Sequence, residues 1–216
     1  MNRATRIIVS TIGVFLGLSG IDHGFFEILQ GNTPTSSLII NAIGPEHIMW
    51  EYGGEAAFTL IPNFLLTGIL ANLVGILIII WSVGFIHRKH GATIFGLLLI
   101  LLFLVGGGIA APILFGLPTW AAATRINKPL IWWQKVFPPV MRGVLAKVWP
   151  ITLTIGMISV LIGLYIAITG IVPGVDPSEV ERILSVDWFF VFGGGLGMFL
   201  ISIVCGFAAD IEQQDS

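Results

Sequence analysis

The chain has 216 residues, of which 56% are hydrophobic and 10% charged, with a formal net charge of −2 and a mean hydropathy of +0.97. Soluble domains carry charge on about a quarter of their residues, so this composition excludes a soluble globular protein and specifies an integral membrane one. The net charge itself says nothing about partners, but no basic run of nucleic-acid type occurs, and a single cysteine, Cys205, excludes a disulfide framework or a Cys-rich zinc site within one chain.

About 20 helical residues cross the hydrocarbon core, and five apolar runs reach that length: 7–29, 56–86, 92–123, 151–172 and 188–209. The connecting segments are too short for a second domain, and the alternation of a membrane barrel is absent. The expected fold is all-α, a single polytopic transmembrane bundle over residues 1–216, because backbone polar groups in lipid must be satisfied within each segment. In the first run, Arg3 and Arg6 precede apolar sequence in the manner of a signal peptide, but no A-x-A-like cleavage site follows. It reads as an uncleaved first span, with Cys205 of the last run as core packing.

The first run ends in "GIDHGFFEILQGN", residues 20–32, where Ser19, His23 and Glu27 fall four apart and Gln30 follows by three. On a helix these make one polar stripe. The second run opens with Glu51, Glu55, Thr59, Asn63 and Thr67, again in steps of four, with Pro62 available to bend a helix. Both stripes lie at the same membrane side, joined by a loop without Lys or Arg, so His23 and Glu27 are expected to meet Glu55 or Asn63. A charged group at the centre of a bilayer helix costs about 2.5–3.5 kcal/mol on insertion scales, which favours a shared polar site over unrelated groups. The alternative is that Glu51 and Glu27 reach headgroup water and His23 is a capped, satisfied interfacial histidine.

The turn His87–His90 carries Arg88 and Lys89 between spans. The third run is long for one crossing and is interrupted by "GGGIAAP" at 106–112. Three glycines weaken a helix, and Pro112 suits the first turn of a new one. One long tilted helix gives five cations on each side; two short helices folding back place nine of the ten Lys and Arg residues on the N-terminal side, with Arg182 opposite. By the positive-inside rule, the second arrangement puts the N-terminus in the cytoplasm and is the one expected here. Residues 128–149, rich in tryptophan and spaced cations, read as an interfacial segment.

Together, "GIDHGFFEILQGN", "GGEAAFTLIPNFLLTGILA", "LVGGGIAAPILFG" and "TRINKPLIWW" resemble a group of small prokaryotic polytopic membrane proteins of unassigned function. More loosely, His23, Glu27 and Glu55 are similar to the constellation of emopamil-binding sterol isomerases. That likeness implies a histidine and glutamates in an intramembrane cavity open to lipid, as an analogy of site rather than of sequence.

Three function classes follow. Binding or transport of a small cation, a proton or a lipophilic molecule would use His23, Glu27, Glu55, Asn63 and Glu51, with the break at Gly106–Gly108 as a discontinuous helix. A membrane-embedded enzyme would use the same groups for acid–base chemistry on a lipophilic substrate, or a divalent metal such as Zn, Mn or Fe held by His23, Glu27, Glu51 and Glu55. A non-catalytic subunit of a membrane complex, or a homo-oligomer, would use the stripes and its many glycines for packing. Membrane lipids are the expected surroundings. The Glu-x-x-His pair of bundle di-iron sites and the His-Glu-x-x-His zinc motif are missing, "GGGLGMF" lacks the strand and lysine of a nucleotide loop, and no serine elbow occurs.

Overall fold

The computed structural model describes residues 1–50, 53–172, 174–176, 179 and 189–215. It is an all-α polytopic bundle: α1 (Arg3–Leu29), α2 (Phe64–Gly84), α3 (Gly91–Leu104), α4 (Gly116–Ala123), α5 (Ile131–Val136), α6 (Pro139–Thr169) and α7 (Met198–Asp215). Wide π turns lead into α4 (Ala111–Phe115) and α7 (Phe189–Gly197). Four helical stretches among the described residues are long and apolar enough to cross a membrane: α1, α2, α6 and Gly194–Gln214.

The third apolar run folds back on itself. α3 has 14 residues and rises only about 21 Å, short of the roughly 30 Å of hydrocarbon. After α4 the chain is again beside the N-terminus, where Asn2 donates through its backbone to the Ile126 carbonyl and through its side chain to those of Arg125 and Lys128. Asn127 donates to the His87 carbonyl in the α2–α3 turn. α3 and α4 therefore form a re-entrant hairpin whose tip, residues 105–110, is buried from Val105 to Gly108.

Two boundaries differ from those read in the sequence. The second span begins at Phe64 rather than 56; Ala56–Phe58 is strand β2, paired antiparallel with β1 (Ile39–Asn41) in a small cap beyond the end of α1. Pro62 lacks the amide a helix would use, and Asn63 caps α2 by accepting from the Leu66 amide. The segment 128–149 is not one interfacial piece: α6 runs unbroken from Pro139 through the internal Pro150. The start expected for the last span at 188 lies outside the described residues.

Packing follows the small residues. α1 and α2 run antiparallel with Gly17 against the Gly75 carbonyl and Gly24 against that of Gly68, so close that an added Cβ would stand 2.5–2.6 Å from the opposing oxygen. At the N-terminal end of this seam, Ser10 donates to the Ser82 carbonyl. The outward faces of α2 (Leu66, Leu73, Ile80) and α6 (Ile151, Ile158, Leu161) are exposed and apolar, as a lipid-facing surface requires. Asp210 of α7, 2% exposed, accepts from the Ala4 and Thr5 amides and the Thr5 hydroxyl, supplying the N-terminal cap that Asn2 does not.

In a Cys205→Ala background, cysteines at Lys135 and Leu38 are expected to react with an impermeant maleimide from opposite membrane faces, Lys135→Cys from the N-terminal one. Labelling of both from one face would refute the re-entrant hairpin.

Candidate functional site

The polar stripe on α1 turns inward. His23 is 4% exposed and Glu27 fully buried, about 9 Å and 3 Å below the end of α1 at 1.5 Å per residue. Glu55 reaches them from the cap rather than from a helix. β2 and its flanks alternate, so Glu55, Ala57 and Thr59 share the inward face; Ala57 and Thr59 are 0% and 1% exposed. The expected steps of four along 51–67 are thus replaced by steps of two up to Thr59, and Thr67 enters from the first turn of α2.

His23 Nε2 lies 2.6 Å from Glu55 Oε2, an ion pair when the imidazole is protonated, with 23% of the Glu55 side chain still open. The Glu55 amide donates to Asn41 Oδ1 and its carbonyl accepts from the Ala42 amide. Gln30 spans to the Asn41 and Ala42 carbonyls. The cap strand is therefore tied both to the end of α1 and to the residue that pairs with His23. Burial pushes the Glu55 carboxyl up, but the hydrogen bond and charge of His23 outweigh it and hold the group below the usual glutamate range. Asp22 lies within electrostatic range of both partners.

The re-entrant tip closes the site from below. Thr59 and Val105 form a β-bridge, Gly106 N–H donates to the Phe58 carbonyl and Leu60 N–H to that of Leu104; Phe58 stacks on Phe103 at 4.8 Å. Gly106 and Gly108 have φ of +94° and +86°, a region L-residues with a Cβ avoid. A Cβ on Gly106 would stand 2.5–2.7 Å from both Glu27 oxygens and Thr67 Oγ1, and one on Gly108 2.6 Å from His23 Nε2. The glycines let backbone lie directly on the two ionisable side chains. Nearby, Thr67 Oγ1 donates to the Val105 carbonyl and lies 2.7 Å from Thr59 Oγ1.

Of the residues predicted from sequence, His23 and Glu55 meet, and Glu27 stands one helical turn along α1 from His23, against Gly106 and Thr67. Asn63 does not join them: besides capping α2 it donates to Asn32 Oδ1 at the exposed cap. Glu51 lies outside the described residues. His23 Nδ1 and both Glu27 oxygens are buried without a hydrogen-bond partner, and no three His, Cys, Asp or Glu side chains among the described residues group as metal ligands. Among the described members of the proposed divalent set, Glu27 faces Gly106 and Thr67, not the His23–Glu55 pair. Asp22 was passed over because it stands off the stripe, yet "GIDHG" places it one residue from His23.

Gly106→Ala and Gly108→Ala should each destabilise the purified protein by at least ~2 kcal/mol, from overpacking and strained φ together. Gly143→Ala, which would meet nothing within 4 Å, should leave its melting temperature level or raise it. His23→Gln and Glu55→Gln should each cost about 1–3 kcal/mol by leaving a hydrogen-bonding partner unsatisfied, and the double variant less than their sum; strict additivity would mean the pair is not coupled. No family model, curated protein or solved structure matches this chain.

Proposed function

We propose that this membrane protein takes up a proton or small cation, from the side opposite its N-terminus, at the cluster formed by His23, Glu55 and Glu27. The observation that carries this reading is the 2.6 Å His23–Glu55 contact. It joins an intramembrane imidazole to a carboxylate on the cap that keeps a path to solvent, as expected where a proton is exchanged between a buried group and bulk water. The neighbouring space is filled by glycine backbone, which suits an ion rather than a bulky molecule.

Below the cluster the core becomes apolar: Ile8, Ile12, Leu16, Val74 and Ile78 are at most 4% exposed and pack together. An ion arriving at His23 stops there in this conformation, so passage across the membrane would need the re-entrant hairpin to move against α1. A groove of about 350 Å³ between α3 and α4, lined by Leu97, Phe103, Ile113 and Trp120 among others, faces lipid and shares no residue with the cluster. That separation counts against a lipophilic substrate handled by His23. The collection of Arg3, Arg6, Arg88, Lys89, Arg125, Lys128, Lys135, Arg142 and Lys147 towards the N-terminal side supports a cytoplasmic N-terminus.

Because the folded Glu55 carboxyl lies below its ordinary value, its stabilising effect is complete above the usual glutamate range. It is lost as pH falls through the lower, folded value. The acid limb of melting temperature against pH should therefore flatten in Glu55→Gln. The acid-minus-neutral infrared difference spectrum of reconstituted protein should contain a carboxyl C=O band that Glu55→Gln removes and His23→Gln displaces. A spectrum and an acid limb unchanged by both variants would reject the reading.

A further inference from the structure

Glu27 poses a problem that the His23–Glu55 pair does not solve. Its side chain is fully buried, and neither carboxylate oxygen has a hydrogen-bond donor. The donors nearby are committed elsewhere. The Thr67 hydroxyl gives its hydrogen to the Val105 carbonyl, leaving its lone pairs for the Thr59 hydroxyl at 2.7 Å. The tip amides of Val105, Gly106 and Gly107 donate to carbonyls of Leu101 or Leu102, Phe58 and Leu102 respectively. Across Gly106, Glu27 faces the Thr67 hydroxyl, whose oxygen lies 2.7 Å from both the Thr59 hydroxyl and the Val105 carbonyl, so this side of the carboxylate is lined by acceptors. An ionised carboxylate in that setting is costly, and more acceptors make it costlier.

We infer that Glu27, Thr67, Thr59 and the Val105 carbonyl form an oxygen-only binding site for a monovalent alkali cation at the tip of the re-entrant hairpin. Every feature that is unfavourable for a bare carboxylate is favourable around a positive ion. The donor set has no nitrogen or sulfur, which selects a hard cation over a transition metal. One carboxylate supplies a single negative charge, which balances a monovalent ion, whereas high-affinity divalent sites gather several carboxylates. The unwound chain at positive-φ Gly106 brings the Val105 carbonyl out of helical hydrogen bonding, as broken membrane helices do when they ligate ions. Thr59 and Thr67 are 1% and 0% exposed, so the ligands are already desolvated. This deepens the preceding reading, and rests on it, by naming the ion class at the Glu27 end of the cluster.

The test is the melting temperature of purified full-length protein at pH 8 in NaCl, KCl or choline chloride at matched ionic strength, with ²²Na⁺ binding measured directly. The native protein should show a saturable stabilisation by Na⁺ or K⁺ absent in choline chloride. Thr67→Val, which keeps the shape and removes one ligand, should raise the half-saturating concentration roughly tenfold, and Glu27→Gln should abolish the response. If Glu27→Gln fails to fold, Thr67→Val and Thr59→Val carry the comparison. Identical melting in all three salts with no ²²Na⁺ bound would overturn the site and mean that Glu27 simply carries a proton. The Glu55 infrared band would survive that result, whereas its loss would sink the wider reading separately.

Discussion

The structure depends on one constraint: chain that leaves helical geometry inside a bilayer must still have its peptide groups hydrogen-bonded. Residues 105–110 break that geometry at the cap end of the bundle, and the cap resolves the conflict. Phe58 accepts from Gly106, Leu104 accepts from Leu60, and Thr67 donates to Val105. A two-stranded cap alone would be marginal; here it is an extension of the hairpin tip, and each stabilises the other. Glu55 and Thr59 are delivered to the interior as a consequence of that pairing.

The second requirement is a fixed distance between α1 and α2. Gly17 opposite Gly75 and Gly24 opposite Gly68 bring the helices into near backbone contact, where packing rather than hydrophobicity drives association in lipid. Thr67, one residue before Gly68, is thereby held at the height of Glu27. The same close approach buries His23 and Glu27 beside the seam.

Much of this was legible from the residues. The α1 stripe needed only the helical period, and the fold-back of the third run followed from Gly106–Pro112 together with the distribution of cations. The meeting of His23 with Glu55 followed from the loop joining the two runs. The strand 56–58 was hidden because "AAFTLIPNFLL" is mostly apolar, with Thr59 and Asn63 in step with a helical period, and an apolar run does not itself distinguish strand from helix. The signal lay in Pro62-Asn63, a helix start written in capping chemistry; reading it would have put Glu55 on a two-residue period and removed Asn63 from the site. Likewise Pro138-Pro139 marked the true start of α6. The Gly68, Gly75 and Ser82 spacing of seven gave the α1–α2 seam in advance to anyone pairing it with Gly24, Gly17 and Ser10.

The contact between Asp210 and the first turn of α1 has a consequence for biogenesis. The amides of Ala4 and Thr5 are made first, while the carboxylate that accepts from them lies 206 and 205 residues later in the chain. At about 5–20 residues per second of synthesis, the first span waits on the order of ten to forty seconds in the membrane with its leading amides held by water or headgroups. α7 then closes on the first turn of α1 in the manner of a clasp. Until that moment the first turn of α1 lacks the side-chain cap that Asp210 supplies, although its seam with α2 is already available.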